Sequence, residues 1–130
     1  MSEINKYSKV ITQDPTQPAA QRTMYAIGLN EEDFKKAQVG IVSTGWDGNP
    51  CNMHLNGIAA NLKNLVNQQN LVALNFYTIG GSDGISMGTS GMLFIGISRS
   101  NCRFNRNQCR CLVSYDGIIS IAGCDKNMPV

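Results

Sequence analysis

Three short runs of apolar, often β-branched residues constrain the fold of this chain most strongly. They are QVGIVST (38–44), LVALNFYTI (71–79) and GIISIAG (117–123), and their composition is typical of buried strands. Between the first two runs, apolar residues recur every three or four positions over 52–69, the stripe of an amphipathic helix. Strands that alternate with helices predict an α/β fold, with a parallel sheet and crossover helices in three layers.

The sequence before the first strand is interpreted as scaffold. Residues 1–15 are polar and are predicted to form an extended arm. A helix is predicted next, because Thr16 can cap its start, Pro18 suits its first turn and Gly28 can end it. Asn30 is expected to cap a second short helix, whose carboxylate-rich first turn is favoured by the helix dipole.

Length, charge and cysteine content limit the classes of protein to consider. A chain of 130 residues is expected to be one domain or part of one. Its net charge of +2 is too small to indicate a nucleic acid or an anionic membrane as partner. A signal-peptide pattern and an apolar run of ~18 residues are both missing, so a cytoplasmic protein is expected. In that compartment the five cysteines favour thiols or metal ligands over disulfides.

Residues with metal-binding chemistry follow all three predicted strands. Cys51 comes after the first strand, Asp83 after the second, and Cys124, Asp125 and Lys126 after the third. Parallel strands end at one edge, where open α/β sheets bind ligands, so we expect all five residues there. Sulfur suits iron-sulfur clusters or zinc and carboxylate oxygen suits Mg²⁺, which favours two unlike metal centres. Alternatively, the cysteines are buried apolar fillers and the aspartates cap helices.

Four stretches of the chain, in this order and spacing, carry a family resemblance. They resemble the N-terminal part of the family shared by dihydroxy-acid, phosphogluconate and sugar-acid dehydratases, whose members are several times longer than this chain. The resemblance covers most of the chain apart from residues 93–114. The matching stretches are ITQDPTQPAAQRTMYAIGL, KAQVGIVSTGWDGNPCNMHLNGIA, FYTIGGSDGISMGTSGM and YDGIISIAGCDKNMP.

The resemblance implies a ligand set and a reaction. Cys51 and Cys124 would be ligands of an iron-sulfur cluster, of the two-iron or four-iron type. Asp83, Asp125 and Lys126 would bind Mg²⁺, since the lysine is carbamylated in this family and a carbamate is an anionic oxygen donor. The implied hydro-lyase reaction converts a small-molecule substrate, a 2,3-dihydroxy-3-methyl carboxylic acid, to a 2-keto acid precursor of valine or isoleucine. A sugar-acid or phosphogluconate substrate is the sibling alternative.

The resemblance also implies that part of the active site lies outside this sequence. In such enzymes the third cluster cysteine, a further Mg²⁺ ligand and the serine expected to act as base would lie beyond Val130. No catalytic base is therefore assigned within the chain. Residues 1–130 are expected to be the N-terminal portion of a larger dehydratase domain, inactive alone, whose full-length relatives form homodimers.

Residues 93–114 depart from the family pattern. They contain three cysteines and four arginines, so a zinc- or RNA-binding module is an alternative function. The codons AAT TGC AGA TTC AAT CGA AAC can encode residues 101–107, and the same bases read one position later begin I-A-D-S-I-E-T, which resembles the family's helix here. We hypothesise two compensating frame changes, which would make Cys102, Cys109 and Cys111 incidental. A non-functional remnant is the remaining alternative.

Overall fold

The fold of this chain is given by a computed structural model, which describes residues 4–97 and 114–124. Within those two ranges, every helix is too short or too polar to cross a lipid bilayer. The elements, in chain order, are α1 (Lys9–Thr12), α2 (Pro18–Ala26), a 3-10 helix (Asp33–Lys35), β1 (Gln38–Ser43), α3 (Leu55–Gln68), β2 (Val72–Tyr77), α4 (Asp83–Ser86), a second 3-10 helix (Ser90–Ile97) and β3 (Gly117–Ile121).

The three strands form one parallel sheet in the order β2-β1-β3, so the first strand in the chain occupies the centre. Gln38 pairs with Val72 at the start of one ladder, and Val39 pairs with Gly117 at the start of the other. The prediction of an α/β fold with a parallel sheet is confirmed. Each strand lies inside the run predicted for it and ends one or two residues earlier.

The hydrophobic core lies between the sheet and α3. Ile41 of β1, Ala59 of α3 and Ala73 of β2 are almost completely buried and form its centre. Leu62 and Val66 of α3 pack against this centre, as the periodic apolar pattern predicted. The core thus fixes α3 on β1 and β2, and with it the loop that leads from β1 into α3.

The prediction of an extended arm over residues 1–15 is wrong for the part that the structure describes, residues 4–15. This segment contains α1 and is docked on the domain, with Ser8 fully buried. The Asp116 carboxylate accepts hydrogen bonds from the backbone N–H groups of Tyr7, at 2.7 Å, and Ser8, at 3.2 Å. It also accepts one from the N–H of Gln38, at 3.0 Å, so one side chain joins the N-terminal segment to β1.

The ends of α2 agree only partly with the sequence signals. Thr16 is not the cap, because its N–H and hydroxyl both donate to Asp14 Oδ1 and Gln17 occupies the N-cap position. Pro18 does begin the helix, and Gly28, at φ 93°, follows its last turn. These two predictions are confirmed, since only glycine adopts that left-handed conformation at little cost.

Asn30 makes the hydrogen bonds of a cap, but the predicted helix is a single 3-10 turn, Asp33–Lys35, whose N-cap position is held by Glu32. Asn30 Oδ1 accepts hydrogen bonds from the N–H groups of Glu32 and Asp33, and Asp33 Oδ2 accepts one from the N–H of Asn30. This is the reciprocal arrangement of a capping box. Lys36 Nζ lies 2.7 Å from Asp33 Oδ1, and that hydrogen bond lowers the pKa of the Asp33 carboxyl.

Candidate metal centre at the carboxyl edge of the sheet

Three loops leave the sheet side by side at the carboxyl ends of its strands. The ladders continue one step beyond the strands, through bonds from Thr44 N–H to Ile121 O at 3.1 Å and from Thr78 N–H to Ser43 O at 3.0 Å. Beyond these bonds the backbones separate into loops. The predicted site residues that the structure describes, Cys51, Asp83 and Cys124, lie in or just after the loops, at the edge where open α/β sheets bind ligands.

Cys124 and Asp83 are in direct contact across two of these loops. The Cys124 thiol donates a hydrogen bond to Asp83 Oδ1 at 3.2 Å. The same oxygen accepts the N–H of Gly84 at 2.9 Å. Asp83 does not cap α4, because Ser82 is the N-cap and its hydroxyl accepts the N–H of Ile85. The carboxylate is therefore placed beside the cysteine that follows β3.

Cys51 approaches the same place through its backbone. A Cβ built on Gly123, the residue before Cys124, would lie only 2.7 Å from the carbonyl oxygen of Cys51. The Cys51 N–H donates to Asn49 Oδ1 at 3.0 Å, and its side chain is exposed as a thiol. The alternative in which Cys51 is a buried apolar filler is therefore wrong.

Backbone conformation at the end of β3 is unusual. Cys124 has φ 67°, in the left-handed region where a residue with a Cβ pays roughly 1–2 kcal/mol. Strained residues of this kind persist where the surrounding structure fixes them, and they cluster at functional sites. The close packing of Gly123 supplies such a constraint, because the chain has almost no space to relax there.

Two buried asparagines join the loop after β1 to the loop after β2, and sequence reasoning missed both. Asn49 and Asn52 are each 0 % exposed. Asn49 Nδ2 donates to the carbonyl of Gly80 at 2.8 Å, and Asn52 Nδ2 donates to the carbonyl of Thr44 at 2.9 Å. In the sequence they resemble ordinary turn residues on either side of the cysteine. Only their position within GNPCN, next to a candidate ligand, could have indicated more.

The donors at this edge suit a mixed sulfur and oxygen site. The Cys124 thiol contacts the Asp83 carboxylate, and the adjacent loop carries a second thiol, that of Cys51. Thiols are ligands for soft metals, and carboxylates are ligands for hard metals. Within residues 4–97 and 114–124, no three His, Cys, Asp or Glu side chains gather closely enough to hold a metal. The other residues with predicted or alternative metal-binding roles lie outside the described residues: Asp125, Lys126, Cys102, Cys109 and Cys111.

The same edge falls within a known family. A family model described as "Dihydroxy-acid/6-phosphogluconate dehydratase N-terminal" matches residues 36–130, which include all three strands and the three loops. The chain belongs to this family. The resemblance found in the sequence is thereby confirmed at the level of the family.

Several relatives that are named as dehydratases are similar to this chain over nearly its whole length. Proteins named dihydroxy-acid dehydratase are 55 % identical over 128 residues in Lactococcus lactis subsp. cremoris and 57 % over 129 residues in Flavobacterium psychrophilum. A third, from Francisella tularensis subsp. novicida, is 48 % identical over 126 residues. The alignments cover 97–99 % of this chain but only 22–23 % of those proteins. The chain thus spans less than a quarter of the length of these curated relatives.

Proposed function

We propose that this chain supplies the N-terminal part of the metal centre of a hydro-lyase that dehydrates 2,3-dihydroxy-3-methyl carboxylic acids to 2-keto acids. The observation that carries the proposal is the contact between Cys124 and Asp83 at the strand ends, with the Cys51 loop packed beside it. Membership of the dehydratase family and relatives named dihydroxy-acid dehydratase support it.

The proposed ligands divide by chemistry between two metal groups. Cys51 and Cys124 would hold an iron-sulfur cluster, and Asp83 would hold Mg²⁺ together with Asp125 and carbamylated Lys126. When bound, the two groups supply Lewis acidity for the departing hydroxyl and for the substrate's oxygens. Cys124 has a left-handed backbone conformation, and its thiol lies 3.2 Å from Asp83 Oδ1.

Loading of the centre requires a proton to leave the Cys124 sulfur. That proton is the one that the Cys124 thiol donates to Asp83 Oδ1 in the 3.2 Å hydrogen bond. A thiol binds metal only as the thiolate, so metal binding releases this proton. With the thiolate as a ligand this hydrogen bond would no longer form, and Asp83 Oδ1 could then serve as a ligand of Mg²⁺. One thiol proton should therefore leave for each cysteine that becomes a ligand.

A full-length fusion tests the proposed reaction. Residues 1–130 replace the matching segment of the Lactococcus lactis relative, and the fusion is loaded anaerobically with iron, sulfide and Mg²⁺. We expect conversion of a 2,3-dihydroxy-3-methyl acid to its keto acid, lost in Cys124→Ser. Preference for a sugar acid or 6-phosphogluconate would assign the sibling activity instead. A second fusion that carries the relative's own residues in place of 93–114 tests the frame-change hypothesis, which predicts higher activity for it.

Two variants, each lacking a different group of cysteines, distinguish the proposed function from a zinc- or RNA-binding module. One variant of the chain replaces Cys102, Cys109 and Cys111 by serine, and the other replaces Cys51 and Cys124. We expect only the first to bind a thiophilic metal ion at the strand ends. If only the second binds zinc, with a stoichiometry near one, the dehydratase reading of this chain loses its metal centre.

A further inference from the structure

Besides the proposed ligands, the carboxyl edge of the sheet contains a network of side-chain hydrogen bonds that is not part of the strand pairing. Its members are the side-chain amides of Asn49 and Asn52, which lie in the loop and turn between β1 and α3. Both are fully buried, and their partners lie at or past the last bonds of the two strand ladders. The amides therefore act where backbone pairing has stopped.

Asn49 connects the backbone of Cys51 to the loop that carries Asp83. Its Oδ1 accepts the Cys51 N–H at 3.0 Å, while its Nδ2 donates to the carbonyl of Gly80 at 2.8 Å. Gly80 lies three residues before Asp83. The oxygen and the nitrogen of the Asn49 amide are thus both hydrogen-bonded, one to each loop, and this short side chain sets the spacing between the two loops.

Asn52 bonds Gly80 to Thr44, and Thr44 is bonded in turn to the exit of β3. Asn52 Nδ2 donates to the carbonyl of Thr44 at 2.9 Å, to Thr44 Oγ1 at 3.2 Å and to the carbonyl of Gly80 at 3.4 Å. Thr44 Oγ1 in turn accepts the N–H of Gly123, the residue before Cys124, at 3.4 Å. A continuous path of hydrogen bonds therefore runs between the backbones on either side of the proposed site.

One atom of the network is left unsatisfied. Asn52 Oδ1 is buried and has no hydrogen-bond partner in the part of the chain that is described. It faces Gly123, where a Cβ would come within 2.6 Å of it. Burial of an unpaired amide oxygen is unfavourable, so this atom does not itself stabilise the folded chain. The oxygen is buried because the residues that follow β3 pack tightly against the loop that contains Cys51.

We propose that Asn49 and Asn52 are positioning residues of the metal centre, which hold the Cys51 backbone at a fixed spacing from the loops that carry Asp83 and Cys124. They touch neither metal nor substrate. The inference rests on the proposed function, since it assumes that Cys51 and Cys124 are ligands. Groups that orient ligands in this way typically contribute about 10–100-fold to metal affinity.

Co²⁺ is a suitable probe, because thiolate ligation gives it a charge-transfer absorption that oxygen ligands do not. The parent is the 130-residue chain with Cys102, Cys109 and Cys111 replaced by serine, titrated anaerobically with Co²⁺ alone. We expect Asn49→Ala and Asn52→Ala to lower the Co²⁺ affinity by about 10–100-fold and to weaken the thiolate band. Asn5→Ala is the matched control, because Asn5 is also a buried amide bonded to a backbone carbonyl, at Lys35.

Urea unfolding of the metal-free variants separates positioning from stability. A purely structural role predicts that all three alanine variants unfold more easily and that each folded population binds Co²⁺ as the parent does, which would overturn the inference. Asn49→Asp keeps the side-chain shape and the acceptor for Cys51 but releases Gly80, so it tests the same point if Asn49→Ala does not fold. We expect weaker binding despite the added negative charge. A parent that lacks a thiolate band would refute the proposed function itself.

Discussion

Replacement of Gly123 by alanine tests the close approach of β3 to the Cys51 loop. The new methyl would lie 2.7 Å from the Cys51 carbonyl oxygen and 2.6 Å from Asn52 Oδ1, whereas ordinary contacts begin near 3.4 Å. The two loops must therefore separate by roughly 0.7–0.8 Å, because both neighbours are held by the network that includes Asn49. Overpacking of this kind typically costs about 1–3 kcal/mol, so we expect that loss in the free energy of unfolding.

Urea denaturation followed by far-ultraviolet circular dichroism measures this loss, as a lower midpoint at an unchanged slope. Gly117→Ala, at the start of β3, is the control, because an added Cβ meets no described atom within 4 Å there. We expect it to be neutral or to stabilise the chain by about 0.4–1 kcal/mol. Equal midpoints for Gly123→Ala and Gly117→Ala would refute the claim that these loops are in tight contact. In the Co²⁺ assay, Gly123→Ala should also weaken the thiolate band, since it moves Cys124 away from Cys51.

Four further predictions concern single residues. Gly57→Ala in the exposed part of α3 should stabilise the chain by about 0.5–1 kcal/mol, and a lower urea midpoint would contradict this, since no described atom lies within 4 Å of the added methyl. The free energy of unfolding of Cys124→Gly should exceed that of Cys124→Ala by about 1–2 kcal/mol, because glycine accepts a φ of 67°. Equal urea midpoints for the two variants would show that the backbone at Cys124 is not strained. Asp116→Ala should cost about 1.5–3 kcal/mol and speed hydrogen exchange in α1, and unchanged exchange there would contradict the role of its three hydrogen bonds. Because the hydrogen bond from Lys36 lowers the pKa of Asp33, the pair should add to the free energy of unfolding above the ordinary carboxyl pKa of about 3.9, and this contribution should be lost as the pH falls through the lowered value. Since the pair is partly exposed, the loss should be at most about 1 kcal/mol, and it should be absent in Asp33→Asn.

Elements with a strong local signal were predictable from the sequence. The β-branched run around Ile41 and the periodic stripe of α3 gave both the strand and the helix, since burial on two faces or on one face requires those patterns. Pro18 and Gly28 were read correctly because each fixes the backbone by itself. Parallel topology followed from the alternation of these elements and predicted which edge would collect Cys51, Asp83 and Cys124.

Features that depend on distant partners were not predictable. The N-terminal segment looks like a polar arm because the group that docks it, Asp116, lies more than 100 residues away in the chain. Thr16 fails as a cap because Asp14 captures its hydroxyl. Asn49 and Asn52 have the composition of a turn, and their burial arises only when the loops meet. Local propensity contains no information about such meetings.

The central place of β1 has a consequence for the order in which the site is assembled. Its ladder to β2 closes a short stretch of chain, whereas its bonds toward β3 join residues as far apart as Gln38 and Asp116, 78 positions along the sequence. Closure entropy grows with the length of the loop that is closed, and long-range pairing forms late. The half that carries Cys51 and Asp83 should therefore be in place before Cys124 arrives. Under the proposed function, Cys51 and Cys124 can serve as ligands of one cluster only after β3 has docked beside β1.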